Sequence, residues 1–167
     1  AFRVLNRLDQ DTSGLVLTAK NSHAAARLSR QVEKRYFAVI EGVLSGSGTI
    51  DAPLRCREGH GIQREIGEGG ERAVTHWYAV ESRGGYTLLC IRLETGRTHQ
   101  IRAHFSCGGF PLAGDAMYGG NREQIGRQAL HCGYLRFCHP ISGEEICLAC
   151  PFPEDMAEML KRLGFAA

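Results

Sequence analysis

The chain lacks any long hydrophobic run, any strong excess of one charge and any repeated or low-complexity segment. No stretch approaches the roughly 18 consecutive apolar residues of a membrane-spanning helix, and the start, Ala1-Phe2-Arg3-Val4, has no apolar core of the signal-peptide type. The formal net charge is only +2, which fits a nucleic-acid partner but fits many other enzymes equally well. These absences favour a globular protein without a membrane anchor and leave its partner open.

Cysteine, in contrast, is plentiful. The seven cysteines are an odd number, so at least one would stay unpaired if the others formed disulfides. A chain of 167 residues is long enough to bury about 70% of its unfolded surface in one core, and it needs no covalent staples. We therefore expect one domain with reduced thiols, located in the cytoplasm.

Hydrophobic patterning and turn residues predict many strands and few helices. Gly84-Gly85 should join two of the strands in a hairpin, Ser22 should cap the first helix, and residues 59–70 should form a glycine-rich loop. The lack of a regular β-α-β-α order predicts an α+β fold, a mostly antiparallel mixed sheet flanked by a few helices. The predicted strands are 15–19, 36–40, 74–80, 86–93, 130–137 and 146–149, with weaker candidates at 49–50 and at Leu54; the predicted helices are 22–33, 98–107 and 153–163.

An acid and a cation stand out as candidates for chemistry. Asp9 lies in a polar turn before an apolar run, and Arg102 lies on a predicted helix, on the face shared with Ile101 and Phe105. A buried arginine needs a carboxylate, and pairing with a guanidinium would keep Asp9 charged as a nucleophile or base. Two alternatives stay open: Asp9 and Asp11 simply stabilise the turn, or Arg102 pairs with a different acid.

Other residues have both a structural and a chemical interpretation. Tyr36 and Phe37 should face opposite sides of a strand, and one ring could stack on a planar substrate or both could be packing residues. Residues 114–119 are a glycine-bounded turn that Tyr118 could simply anchor. The Cys147-x-x-Cys150 spacing raises the question of structural zinc, but no second such pair completes a zinc finger.

Taken together, these segments resemble the pseudouridine synthases, specifically the RluA-type branch. The resemblance runs almost end to end and keeps the family's order of motifs. It rests on Arg7-Leu8-Asp9-x-x-Thr12-Ser13-Gly14-Leu15, Lys34-Arg35-Tyr36-x-Ala38-x-x-x-Gly42, Thr95-Gly96-Arg97-Thr98-His99-Gln100-Ile101-Arg102-x-His104, Gly114-Asp115-x-x-Tyr118-Gly119, Leu130-His131, His139-Pro140-x-x-Gly143 and Pro151-x-Pro153-x-Asp155-Met156.

The resemblance implies isomerisation of a uridine in RNA, in which the base is detached, turned and rejoined to the sugar through C5. Asp9 would be the catalytic aspartate, Tyr36 would stack on the uracil and act as a base, and Arg102 would pair with Asp9. The family chemistry leaves open whether the aspartate attacks the sugar, attacks the base or removes a sugar proton. The reaction only rearranges atoms, so we expect no metal and no other cofactor.

RNA is the partner that the resemblance implies, ribosomal RNA first and transfer RNA second, for a monomer that binds neither DNA nor membranes. Arg7 would fill the gap left by the extruded base. Further RNA contacts are expected from Arg97, His99 and Gln100, and phosphate contacts from exposed arginines that could equally be solvated surface charges: Arg27, Arg30 and Arg122.

The chain departs from the family pattern in two respects. Asn6 stands where these proteins usually carry histidine, and we expect it to hydrogen-bond within the turn. The chain also starts almost at the first motif, so residues 1–167 should be a catalytic domain without the N-terminal strands or RNA-binding domain of its relatives. The rival hypotheses are a non-catalytic RNA-binding module of the same fold and a zinc-stabilised interaction domain.

Overall fold

A computed structural model describes residues 2–29 and 31–166 of the chain. Within these ranges the secondary structure consists mainly of strands. The strands are β1 (Arg3–Val4), β2 (Ser13–Gly14), β3 (Thr18–Ala19), β4 (Glu33–Glu41), β5 (Ser47–Asp51), β6 (Leu54–Cys56), β7 (Arg64–Ile66), β8 (Val74–Arg83), β9 (Tyr86–Leu93), β10 (Leu130–Cys138) and β11 (Glu145–Ala149); the α-helices are α1 (Ser22–Leu28), α2 (Gln100–Cys107) and α3 (Glu154–Leu163).

A central mixed sheet organises the fold, in the order β11-β10-β4-β9-β8-β5. Neighbours along this path are antiparallel, and the short strand β2 adds a parallel pairing to β10. The predicted α+β class with a mostly antiparallel mixed sheet is confirmed. The parallel pairing places the segment before β2, which carries Asp9, next to the start of β10.

The two longest helices cover opposite faces of the sheet. Tyr36, Ala38 and Ile40 of β4 pack in one hydrophobic cluster with Ile101 and Phe105 of α2. The alternate β4 residues Phe37 and Val39 face a second cluster, to which α3 contributes Met156, Met159 and Leu160. The predicted split of Tyr36 and Phe37 between two faces is therefore confirmed.

Local signals placed several elements well. The β8–β9 hairpin turns at Gly84 and Gly85, both of which have the positive φ that favours glycine. Helix α3 begins after Pro153, has Glu154 and Asp155 in its first turn, and ends at the left-handed Gly164. None of these helices is long and apolar enough, in the ranges described, to span a membrane.

The predicted helix over 22–33 was too long. Helix α1 ends at Leu28, and Asn21 rather than Ser22 caps it by accepting a 2.8 Å hydrogen bond from the Ala24 amide. The sheet instead takes up the chain from Glu33, where β4 begins and pairs with β9 and β10. Arg30, one of the proposed phosphate contacts, lies outside the described residues.

Two other predictions need correction. Of the expected buried strand over 15–19, only Thr18–Ala19 (β3) is a strand. Residues 15–17 separate β3 from β2 and belong to no strand, and Val16 among them is 50% exposed. The expected loop over 59–70 contains β7, which pairs with β6. Strands β2, β3 and β7 have two or three residues each, which is too short to leave a periodic signal in the sequence.

Candidate active site

Asp9 lies at the start of a tight turn that precedes β2. Its carbonyl accepts a 3.0 Å hydrogen bond from the Thr12 amide, and Asp11 takes the left-handed conformation with φ of 64°. The Asp9 side chain is 24% exposed, so its carboxylate stays accessible from solvent. The turn therefore presents the acid and does not bury it.

Asn6 fixes the chain just before this turn. Its Nδ2 donates to the Leu15 carbonyl at 3.1 Å, and its Oδ1 accepts from the Leu17 amide at 2.7 Å. The predicted hydrogen bonding of this buried residue is confirmed. Asn6 thus joins the two ends of the segment that carries Asp9.

Arg102 points inward from α2 and contacts two carboxylates. Its closest partner is Asp115, which accepts hydrogen bonds from Nε at 2.6 Å and from Nη2 at 2.8 Å. Asp9 Oδ2 lies 3.9 Å from Arg102 Nη1, at the long end of ion-pair distances. The structure therefore brings Asp9 and Arg102 together as predicted, and it also realises the alternative that Arg102 pairs with another acid.

Charge compensation explains how this arginine tolerates burial. Arg102 and Asp115 are 5% and 2% exposed. Burial alone would lower the pKa of Arg102, but the hydrogen bonds and charge of Asp115, with a further contribution from Asp9, raise it. The guanidinium is thus a permanent positive charge behind the Asp9 carboxylate.

Tyr118 completes the surroundings of Arg102. The Arg102 guanidinium lies 4.9 Å from the centre of the Tyr118 ring, a cation–π contact. The Tyr118 hydroxyl is 3.0 Å from His99 Nδ1 and accepts a 2.8 Å hydrogen bond from the Arg64 amide. The glycine-bounded segment 114–119 is therefore more than an anchored loop, because Asp115 and Tyr118 both hold Arg102.

Tyr36 lies on the same side of the sheet, at the wall of the cleft beside Asp9. The residue is 7% exposed, and burial, followed by its neighbour Cys132 and the charge of Asp9, raises its pKa. The phenol is consequently neutral at physiological pH. Its ring can stack on a base, whereas action as a base would first require loss of a tightly held proton.

A cleft of about 1010 Å³ joins these groups. Asp9, Tyr36, Leu130 and Ile101 contribute to its walls. The cationic side chains around it outnumber the carboxylates, which are Asp9, Glu33 and Glu94; the cations are Arg7, Lys34, Arg35, Arg92, Arg97 and Arg136. A cleft of this size and charge suits a nucleotide with its flanking phosphates.

The predicted RNA contacts divide into two groups. Arg7 and Arg97 are exposed and line the cleft, although Arg97 also forms a 2.9 Å ion pair with Glu71. His99 and Gln100 are 5% and 2% exposed, and their bonds go to protein atoms.

Those bonds give His99 and Gln100 a supporting place in the structure. Gln100 Oε1 accepts from the Arg97 amide at 2.9 Å and from Thr95 Oγ1 at 2.8 Å, and its Nε2 donates to the Val74 carbonyl. His99 holds the Tyr118 hydroxyl, and burial together with the charge of Arg102 lowers its pKa. Both residues shape the start of α2, and the arrangement favours support over direct RNA contact.

The cysteines form no cluster with other metal ligands. Cys147 lies on β11 and is exposed, and Cys150 follows the end of that strand. Across residues 2–29 and 31–166, no group of three or more His, Cys, Asp or Glu side chains is placed to hold a metal ion. The zinc-stabilised interaction domain therefore gains no support from this geometry.

The pairing that sequence patterns missed is that between Arg102 and Asp115. Asp115 precedes a 3-10 helix (Ala116–Tyr118) and follows Gly114, whose positive φ and close approach to the Arg127 carbonyl leave no room for a side chain. The available signal in the sequence was the pair of glycines, Gly114 and Gly119, that bound this turn. They mark a constrained backbone but do not say which side chain it aims.

Comparison with known proteins shows the family to which the chain belongs. The family model for RNA pseudouridylate synthase matches residues 1–107, and the chain belongs to this family. An uncharacterized RNA pseudouridine synthase of Bacillus subtilis, YjbO, is 43% identical over 164 residues, which cover 95% of this chain and 58% of that protein. The ribosomal large subunit pseudouridine synthase D of Vibrio cholerae is 38% identical over 175 residues, which cover 93% and 54%.

A solved structure shares the fold. The human RNA pseudouridylate synthase domain containing 1 superposes with a TM-score of 0.79 at 29% identity, covering 95% of this chain and 73% of that one. The chain spans a little over half the length of the two bacterial relatives. The family predicted from the motifs is thus confirmed.

Proposed function

We propose that this protein is an RNA pseudouridine synthase and that Asp9 is its catalytic carboxylate. The observation that carries the proposal is the convergence of Asp9 and Arg102, 3.9 Å apart, beside a cleft of about 1010 Å³ that Tyr36 also lines. An accessible carboxylate with a permanent cation behind it can act as nucleophile or base on the target nucleotide. The family membership of the chain supports the same reaction.

The target uridine would enter the cleft as an extruded base. Flipping a base out of structured RNA costs a few kcal/mol, and stacking on an aromatic side chain returns about 1–3 kcal/mol. We propose that Tyr36 provides that stacking and that Arg7 fills the vacated place in the RNA, since both side chains line the cleft.

Catalysis then depends on what Asp9 does to the glycosidic bond. Arg102 places a positive charge 3.9 Å from the Asp9 carboxylate, and the neutral Tyr36 phenol can donate a hydrogen bond to the detached uracil. The uracil turns within the cleft and C5 takes the place of N1 on the sugar, after which C5 loses its proton and N1 takes one up. The product nucleotide has the same composition as the uridine, so the reaction is an isomerisation.

Incubation with RNA that contains 5-fluorouridine at the target position distinguishes an enzyme from an RNA-binding module without activity. Fluorine at C5 blocks the final proton loss, so an enzyme leaves a rearranged or tightly held product. Plain reversible binding with unchanged RNA after incubation would instead favour the RNA-binding module.

Ribosomal RNA is the first substrate we propose, because the Vibrio cholerae relative is named for the ribosomal large subunit. Transfer RNA is the second. Mapping pseudouridines in total RNA from cells without this protein separates them, since one lost position in ribosomal or transfer RNA should return when the gene is restored. That the protein is a monomer, is located in the cytoplasm and does not bind DNA remain predictions.

A further inference from the structure

The turn that carries Asp9 is held by side chains from the segment just before β10. Arg127 Nη1 donates to the Asp11 carbonyl at 2.9 Å, and its Nη2 lies 3.3 Å from Ser13 Oγ. Gln128 Nε2 donates to the Gln10 carbonyl at 2.5 Å and to Thr12 Oγ1 at 3.1 Å. Every residue from 10 to 13 therefore has a hydrogen bond to one of two adjacent side chains.

Arg127 is in turn fixed by the first turn of α3. Its Nε and Nη2 donate to the Asp155 carboxylate at 2.6 and 2.9 Å, a bidentate pair. The Arg127 side chain is 19% exposed. The same guanidinium thus joins Asp155 on α3 to the turn beside Asp9. All three of its nitrogens have hydrogen-bond partners in these two segments.

The turn needs such support because its backbone conformation is unfavourable. Asp11 is one of two non-glycine residues with positive φ in the described ranges, at 64°. A left-handed non-glycine residue persists only where its surroundings enforce it. Arg127 bonds the carbonyl of Asp11 itself, so losing that bond should relax the turn and move Asp9 away from Arg102.

We propose that Arg127, held by Asp155, is a positioning residue that sets the place of the catalytic carboxylate. The inference rests on the proposed function of Asp9. It differs from a general stabilising role because the guanidinium bonds the turn at Asp11 and Ser13, within four residues of Asp9. Misplacing a reacting group by about 1 Å can slow a reaction about 100-fold without weakening binding.

Steady-state turnover of a 5-tritiated uridine RNA by Arg127→Gln tests this role. We expect kcat to fall by roughly 10- to 100-fold, while KM for the RNA stays within about threefold of wild type, because the cleft cations are untouched. Arg127→Lys keeps the charge next to Asp155 but has no guanidinium group to bond the turn as well. Its kcat should therefore lie between those of wild type and Arg127→Gln.

Arg162→Ala is the matched control. Arg162 also joins α3 to the segment before β10, through a 2.5 Å hydrogen bond to the Gln124 carbonyl, but its bonds to Gln124 and Glu158 do not reach the turn. Its kcat should equal that of wild type. Amide hydrogen exchange in residues 9–15 should quicken in Arg127→Gln and stay unchanged in Arg162→Ala.

The possible results separate this inference from the proposed function. Wild-type kcat in Arg127→Gln, alongside an inactive Asp9→Asn, overturns the positioning role alone, and turnover by Asp9→Asn overturns the proposed function. If Arg127→Gln does not fold, Arg127→Lys and Asp155→Asn take its place. Wild-type kcat in both of those variants, with unchanged exchange in residues 9–15, overturns the inference.

Discussion

At the scale of single residues, Arg102 holds two acids whose roles differ. Asp115 is 2% exposed and takes the bidentate hydrogen bonds, whereas Asp9 is 3.9 Å away and faces the cleft. The buried Arg102–Asp115 pair keeps the guanidinium in place, and Nη1 of that guanidinium faces Asp9. In the proposed function, one arginine therefore serves folding through Asp115 and chemistry through Asp9.

Truncation of this arginine should damage both properties. Arg102→Ala leaves the Asp115 carboxylate buried without its partner, which typically costs about 3–5 kcal/mol of unfolding free energy. Denaturant unfolding measures this loss, and uridine turnover measured below the transition should also fall. Unchanged stability would mean that the Arg102–Asp115 pair contributes nothing.

A double variant separates the two roles of Arg102. Arg102→Met with Asp115→Leu removes both buried charges together, and such replacements are often neutral or stabilising. We expect unfolding free energy close to that of wild type, yet turnover as low as in Arg102→Ala. Recovery of turnover in the double variant would show that Asp9 needs no neighbouring cation.

The inward direction of Arg102 could be predicted from sequence, but its main partner could not. Helical spacing puts Arg102 on the face of Ile101 and Phe105, and all three are buried. Asp115 lies after α2 in an irregular segment, where no periodicity indicates side-chain direction. Buried His99 and Gln100 likewise look like surface polar residues until the fold encloses them.

At the scale of elements, the approach of β2 to β10 depends on one glycine. Gly14 has φ of 121°, and a Cβ added to it would overlap the backbone of Cys132, its partner in β10. Glycine is required there both for the conformation and for the close contact. This contact sets the distance between the Asp9 turn and the sheet.

Gly14→Ala should therefore separate β2 from β10. We expect it to cost more than the roughly 1–3 kcal/mol of backbone strain alone, because the Cys132 backbone must also move. Gly46→Ala is the control, since Gly46 has φ of 74° but nothing within 4 Å of an added Cβ. Comparable losses of melting temperature in the two variants would refute a role for the close contact.

Elements with strong local signals were predictable, and those set by distant pairing were not. Gly84 and Gly85 mark the β8–β9 hairpin, and Pro153 marks the start of α3. Helix α1 is shorter than predicted because the chain from Glu33 pairs within the sheet as β4, a tertiary demand that overrides helix propensity. The two-residue strand β2 depends on β10, more than a hundred positions away along the chain.

At the scale of the whole molecule, three buried histidines make stability depend on pH. Burial lowers the pKa of His99, His104 and His131 in the folded state, most directly for the last two, which are 1% exposed. His104 contacts Thr75 Oγ1 and the Ala52 carbonyl, and His131 contacts Ser13 Oγ and the Cys150 carbonyl. The two rings thus join distant segments while uncharged.

The sign of the effect follows from linkage. Below about pH 6.5 the unfolded chain binds protons on these histidines and the folded chain does not, so unfolding is favoured as the pH falls. We expect the melting temperature to be constant between about pH 8 and 7 and to fall from about pH 6.5 towards 5. The carboxylates with lowered pKa, such as Glu33 and Asp155, add their own loss only at lower pH.

His104→Gln should flatten that decline in part, because one of the three buried imidazoles is gone, although the variant is less stable at every pH. Thermal melting of both proteins across this range, in one buffer series, gives the comparison. A wild-type melting temperature that rises on acidification would show that the histidines gain protons on folding.

The proposed function depends on the carboxylate of Asp9 as the group that reacts with an extruded uridine. Release of tritium from RNA labelled at uridine C5, by wild type and by Asp9→Asn, tests it most directly, with folding and RNA binding checked in parallel. We predict steady release by wild type and none above background by Asp9→Asn, with melting temperature and RNA affinity preserved. Appreciable release by the folded Asp9→Asn variant would show that Asp9 is not the reacting group.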